Sequence, residues 1–392
     1  MLARLIGSIV QRLGPRAQAL WHRVYYTLPR PHEELGTIDR IGFLLHTPEL
    51  VNHYKCVWEV LPDDSFDIVV SHPMADIPAE YRPWQQRIVS AASVLAAKKR
   101  YRYLVSNHPI HYGKKPLIVD LGEINVRFMY AAGKSGWNLR EWNTLYDVIM
   151  CFGPYHAEQF SRVCGARVVQ MGYPRFDRYF TTPLDKAAAL SRLGCDPAKK
   201  TVVWLPTWGK LSSVGWFDAE ISALTAEWNV VVKVHPLMPG REPEKLKALE
   251  RHRFTTLITD ASDNMPLYQL ADFMLFDYGG PPFAGVYSDK DMLLLNVPGA
   301  ESDELTGGGS PDIEIRKHLV SVNPGEEAVA RALAADGVWE SQRESRRQLR
   351  DTYFAPYFGT SAKRAAEILL GLGDLGLSPG SGPRIEKGQQ KW

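Results

Sequence analysis

The chain has 392 residues, 45% of them hydrophobic and 23% charged, which fits two ordinary globular domains of ~100 to 200 residues better than one core. Its 46 basic and 44 acidic side chains leave a formal charge of only +2, so no global field points to nucleic acid. The four cysteines, at 56, 151, 164 and 195, show neither CxxC spacing nor the density of a disulfide scaffold, and they read as reduced thiols.

In chain order, residues 1–32 come first and are unlike the rest. Arg4, Arg12, Arg16, Arg23 and Arg30 stand among the first 30 residues with no acid, while Leu2, Leu5, Ile6, Ile9, Val10 and Leu13 recur at helical spacing. The pattern predicts a basic amphipathic helix, too short and too interrupted by Arg12 to span a bilayer and without a signal-peptide cleavage site. It would lie on an anionic membrane surface or pack on the protein's own body.

From Asp39 the chain alternates short apolar runs with helical stretches. Strands are expected at Ile41 to Leu45, Asp67 to Val70, Tyr103 to Ser106, Val126 to Tyr130, Asp147 to Phe152 and Val168 to Met171, with helices at Glu49 to Leu61, Pro83 to Arg100 and Pro154 to Cys164. After the proline-rich, charged run GYPRFDRYFTTP at 172–183 the order repeats. A second set of strands is expected at Thr201 to Leu205, Val230 to Val234, Thr255 to Thr259, Asp272 to Phe276 and Met292 to Leu295, with helices near 216–228, 241–252 and 263–271. Alternation of this kind predicts parallel sheets covered on both faces, hence an α/β protein of two doubly wound, Rossmann-like domains, at 33–180 and 181–345. Helical material at 339–371 would cross back to the first domain, at 346–371, and the Gly-, Ser- and Pro-rich residues 372–392 read as a disordered tail.

Ligands of such folds bind beyond the carboxyl ends of the strands. In the second domain those positions hold Thr207 and Trp208, then His235, then the turn Asp277, Tyr278, Gly279 and Gly280, which lies between a strand and a helix opened by Pro281. Such a turn offers free backbone N–H groups and the positive end of a helix dipole to a phosphate; it can equally be a plain connection.

At these residues the chain resembles a known family. The runs LPTWGK at 205–210, VVKVHPL at 231–237 and LYQLADFMLFDYGG at 267–280, with FGPYHAEQFSRVCGARVVQMGYPRFD at 152–177, are similar to motifs of the CDP-glycerol glycerophosphotransferases, the teichoic-acid primases and polymerases. The resemblance covers about Val126 to Asn296. It implies a GT-B fold and a cytoplasmic enzyme peripheral on the inner face of the membrane. It also implies a CDP-linked alcohol donor, and an envelope glycan or lipid-linked acceptor. Carried over by position, Thr207, His235, Asp277, Gly279 and Gly280 would line the donor site, with His235 at the pyrophosphate.

Two departures stand out. Gly279 and Gly280 replace the family's two serines, and Ala132, in FMYAAGKSGWN at 128–138, stands where the family has a histidine followed by glycine that is thought to act as base. Tyr130, Gly133 and Lys134 of that run are the acceptor-binding candidates, with Arg127 a second cation for an acceptor phosphate. His108, His111, Asp120 and Glu123 are candidate replacements for the base, and His108 and Asp120 join His235 as the catalytic set. His108 and His111 have no third ligand at telling spacing, so no metal is expected, and no cofactor. Three functions stay open: a phospho-alcohol or sugar transferase, a hydrolysing nucleotide-sugar epimerase, and an inactive glycan-binding member.

Overall fold

The computed structural model describes residues 35–71, 78–112, 115–307, 309–325, 327–335 and 337–377. The basic helix expected at 1–32 and the tail from 378 onward lie outside the described residues. Seven parallel strands form the first sheet: β1 (Gly36–Leu45), β2 (Phe66–Val70), β3 (Ile88–Ser90), β4 (Lys99–Ser106), β5 (Gly122–Phe128), β6 (Val148–Cys151) and β7 (Arg167–Gln170), in the order β3-β2-β1-β4-β5-β6-β7. The second sheet has β8 (Thr201–Leu205), β9 (Asn229–Lys233), β10 (Thr256–Ile258), β11 (Phe273–Phe276), β12 (Met292–Leu295) and β13 (Ser321–Val322), in the order β10-β9-β8-β11-β12-β13. Within each sheet the first strand therefore neighbours the fourth, and the chain reverses its direction of travel across the sheet between them. The result is an α/β, GT-B-like architecture of two doubly wound sheets.

Strands covered on both faces read as unbroken apolar runs, which is why β2, β8, β9, β11 and β12 were visible as such. Their two-residue period still separates two cores. Val203, Leu205, Met274 and Phe276 face a core continuous with that of the first sheet, whereas Val202, Trp204 and Leu275 face a second core with Val329 and Trp339.

The helix expected over Pro83 to Arg100 is not one. A 3-10 segment Ala79–Arg87 containing Pro83 kinks at Trp84, the edge strand β3 follows, and a short helix Ala91–Ala96 ends before Lys98 at φ 54°. Ile88 and Val89 are β-branched or strand-favouring side chains, and they pair with Ile68 and Val69 of β2 instead of continuing a helix. The helical material expected over 339–371 is two helices, Val338–Tyr353 and Ser361–Leu370, broken by a turn with Pro356 and with Gly359 at φ 77°. The break docks on the first sheet: Ala355 N–H donates to Phe152 O at 2.9 Å, and the Asp177 carboxylate accepts from Ser361 N–H at 3.0 Å and Ala362 N–H at 2.6 Å. The chain continues as a 3-10 turn, Leu372–Leu375, that buries Leu372.

Candidate active site

The carboxyl ends of both sheets face one cleft of about 370 Å³. Of the residues singled out in the sequence, Thr207, Trp208, His235, Gly280 and Tyr130 line it, and they are joined by His46, Glu49, His53, Arg175 and Lys233. The second sheet's direction reverses between β8 and β11, so Thr207, two residues beyond β8, stands beside the turn that follows β11.

That turn works differently from its sequence reading. Asp277 is 1% exposed, and its carboxylate accepts from Thr207 N–H at 2.9 Å, from Ser213 N–H at 2.8 Å and from the Ser213 hydroxyl at 2.9 Å. It braces the two strand ends rather than facing the cleft, and burial raises its pKa against those donors. Tyr278 is also buried, under the Arg316 guanidinium at 3.8 Å and beside Leu211 and Val297, so it is packing. The N–H of Gly279, expected to hold a phosphate, donates instead to Asp312 Oδ1 at 2.6 Å. Gly279 has φ 101° and ψ −145°, a region only glycine enters without strain, and it turns the chain into the helix Gly280–Tyr287. Gly280 begins that helix on the cleft wall, where an added Cβ would meet only Ala131 at 3.8 Å.

Asp312 links this turn to the first domain. Its carboxylate also accepts from the N–H of Lys134 and from the Ser310 hydroxyl. Gly133 is pressed against the same group, since a Cβ there would lie 2.6 Å from both Asp312 oxygens and 2.8 Å from Gly279 O. Gly133 therefore allows close approach of the two domains and does not face an acceptor. Lys134, in the left-handed region at φ 57°, extends its ammonium across to the second domain, 3.2 Å from Thr207 Oγ1. Burial lowers its pKa, opposed by Asp312, Asp277 and Asp303. The Lys134 ammonium thus reaches the strand ends of the second domain rather than those of the first. Arg127 is no phosphate ligand either: it is fully buried, donates to Asn138 O and Asn138 Oδ1 at 2.8 and 2.9 Å, and lies over the rings of Trp142 and Phe160.

His235 stands two residues beyond β9 with the Trp208 ring 6.0 Å away. Its Nδ1 accepts from Leu237 N–H at 3.2 Å, which places the ring proton on Nε2. Burial first, and then the charge of Lys134, lower its pKa to about 4, so at neutral pH it is an uncharged hydrogen-bond donor. On the opposite wall, Arg175 donates to Asp263 at 2.9 Å, to Asn264 at 2.7 Å and to His53 Nε2 at 3.4 Å, while Lys55 donates to Asp263 at 2.8 Å. These two cations hold the Asp263 carboxyl below the usual carboxylate range despite its burial.

The remaining candidates separate. His108 is outside the cleft wall, with its ring against His46. Asp120 lies in the helix Leu117–Leu121 that precedes β5, at the amino end of the sheet, so it faces away from the cleft; Glu123 shares that end with Thr37 and Arg100. Ala132 is buried, and its carbonyl accepts from His156 Nε2 at 3.2 Å. Among the described residues no group of three or more His, Cys, Asp or Glu could hold a metal ion. Sequence reading passed over His46, His53, Glu49, Arg175 and Asp312. For His46 a signal existed, since it directly follows an expected strand; Asp312 lies in a segment with no periodicity.

Residues 137–294 match the family model described as CDP-Glycerol:Poly(glycerophosphate) glycerophosphotransferase. No curated protein matches the sequence. Among solved structures, the wall teichoic acid polymerase TagF is similar with a TM-score of 0.65 at 15% identity in a histidine-to-alanine variant, over 96% of this chain and 97% of that one. A histidine-to-asparagine TagF variant soaked with CDPG gives 0.62 at 14% identity, over 95% and 97%. S. aureus MnaA in a co-structure with UDP gives 0.57 at 11% identity, over 86% and 98%. The structural likenesses carry the GT-B-like fold, and the family match, over residues 137–294, is to the CDP-glycerol glycerophosphotransferases.

Proposed function

We propose that the protein moves glycerol phosphate, or a similar phospho-alcohol, from a CDP-activated donor to a hydroxyl of an envelope glycan or lipid-linked acceptor, releasing CMP. The observation that carries this reading is the convergence of the Thr207 hydroxyl, the His235 ring and the start of the helix at Gly280 on one end of one cleft, with the Lys134 ammonium behind that wall, 3.2 Å from Thr207 Oγ1. In phosphoryl transfer the barrier is charge on the phosphoryl oxygens and the in-line placement of the acceptor. A cation, a hydroxyl and a helix N-terminus meet the first need. The His235 Nε2–H, uncharged and fixed by the Leu237 N–H, is suited to donate to the oxygen of the leaving CMP. The donor side would belong to residues 181–345 and the acceptor side to residues 33–180, with the helices Val338–Tyr353 and Ser361–Leu370 joining them.

A hydrolysing nucleotide-sugar epimerase is the second reading, since MnaA shares the fold. Several cleft carboxylates would favour it, and among the described lining residues Glu49 alone carries one. The five arginines of residues 1–30 would hold the enzyme to anionic lipid on the inner face of the membrane. Incubation with CDP-glycerol, other CDP-alcohols and UDP-sugars, followed by nucleotide analysis, tests the proposal. CMP release confined to CDP-alcohols is expected; UDP release, or conversion of UDP-GlcNAc alone, would replace it with a sugar-directed activity.

A further inference from the structure

The first sheet has a reversal point of its own, between β1 and β4, and the residues just beyond these strands include His46 and His108. Their rings meet edge to face with centroids 4.3 Å apart, and Trp137 closes on His108 at 6.1 Å. His46 lines the cleft that Thr207, His235 and Gly280 line from the other domain, and His108 is outside its wall. We infer that His46 is the catalytic base that takes the proton of the acceptor hydroxyl, and that His108 is a positioning residue that fixes the plane of the His46 ring. The assignment rests on the transfer reading above.

Three other imidazoles lie near the cleft. His53 Nε2 accepts from the Arg175 guanidinium, so the lone pair a base needs on that nitrogen is already engaged by a cation. His156 is buried beneath Ala132 and outside the cleft wall. His235 spends Nδ1 on the Leu237 N–H and stands on the donor side. Glu49, three residues beyond His46, lines the same wall and would stabilise an imidazolium formed there.

The step is balanced. A ring nitrogen of His46 accepts the hydroxyl proton as the acceptor oxygen forms its bond to the outer phosphorus of the donor. The bond from that phosphorus to the bridging oxygen breaks, CMP leaves with the electron pair, and the imidazolium then returns its proton to solvent. In this arrangement the base stands at the first sheet's reversal point, where it needs no histidine at position 132.

The test measures CMP release from CDP-glycerol by the full chain, with glycerol and with a prenyl-phosphate-linked disaccharide as acceptors. His46→Gly is expected to lose ~100-fold or more in turnover, to bind CDP as the parent does, and to recover part of its turnover when free imidazole is added. His46→Gln should lose as much without depending on a cavity. His108→Ala should lose roughly 10-fold and gain nothing from imidazole, because its effect is one of placement. A folded His46→Gly or His46→Gln turning over within a few-fold of the parent overturns the assignment, as does a Glu49→Gln variant that alone abolishes turnover. A parent that binds CDP yet releases no CMP with either acceptor overturns the transfer reading, and the base falls with it.

Discussion

The two sheets reverse direction at equivalent places, yet the chemistry at the two reversal points is opposite. Beyond β8 and β11 the main chain is clamped: Asp277 takes four donors of the second domain, and Asp312 takes the N–H groups of Gly279 and Lys134. Beyond β1 and β4 stand two imidazoles in ring contact. A shared topology fixes where a ligand can sit, because strand ends diverge there and leave a crevice. What the ligand is depends on which groups the local turns leave facing inward. At the second sheet's reversal point the carboxylates are used up in bracing, which under the proposed transfer leaves a hydroxyl, a nearby ammonium and a helix end for the donor's phosphates; at the first sheet's reversal point the group that lines the cleft is the His46 imidazole, backed by His108.

The largest effect that would break this contrast is on turnover. His235→Ala should lower turnover ~100-fold or more while leaving CDP affinity nearly unchanged, since one hydrogen bond to a leaving phosphate matters mainly in the transition state. Turnover within a few-fold of the parent, in a variant melting at the parent's temperature, would remove His235 from the donor side of the comparison.

A smaller effect separates bracing from binding at the turn itself. Gly279→Val forces a β-branched residue to φ 101° with Lys134 Cε 3.3 Å from its Cβ, so a loss of about 1 to 3 kcal/mol in stability is expected along with donor binding. Gly280→Ala has room, its Cβ meeting only Ala131 at 3.8 Å, and should melt like the parent. Calorimetry with CDP then decides the role of the helix start: a stable Gly280→Ala that no longer binds CDP places the phosphate on it, and a Gly279→Val that melts like the parent refutes the conformational requirement.

The parts of the site legible in the sequence were those carried by periodicity. Buried runs such as VVVK and FMLF announce strands, and whatever follows them, Thr207, His235 or Asp277, is thereby placed at the carboxyl edge. The direction of a side chain at that edge was not legible. Asp277 points back into backbone donors, and Tyr278 into a small core with Val297, because of partners 64 and 19 residues away. Asp120 was misplaced for a simpler reason: the short helix Leu117–Leu121 before β5 sets it at the start of the strand, and an apolar run does not say which of its ends faces the cleft. Lys134 was grouped with the acceptor candidates because its main chain belongs to the first domain, whereas its ammonium reaches the second.

That crossing makes Lys134→Met the finest test of the comparison, because it alters the donor side from the acceptor domain. Removing one partly buried cation beside Thr207 should weaken CDP binding ~10-fold, about 1.4 kcal/mol. It should also change the titration of His235. The Lys134 charge disfavours a second positive charge nearby and is the second cause, after burial, of the fall of the His235 pKa to about 4. Without it the pKa should rise, but stay below 6.5, because burial remains. The sign for stability follows: a histidine whose folded pKa is depressed contributes stability that is complete above its unfolded value of 6.5 and is lost as pH falls towards about 4. The variant, with the smaller depression, should lose less over that interval. NMR titration of the His235 ring, read beside melting temperature over the same pH range, checks both. A His235 pKa that does not move, with CDP affinity equal to the parent's, would mean that the Lys134 ammonium only ties the domains together and has no part in the donor site.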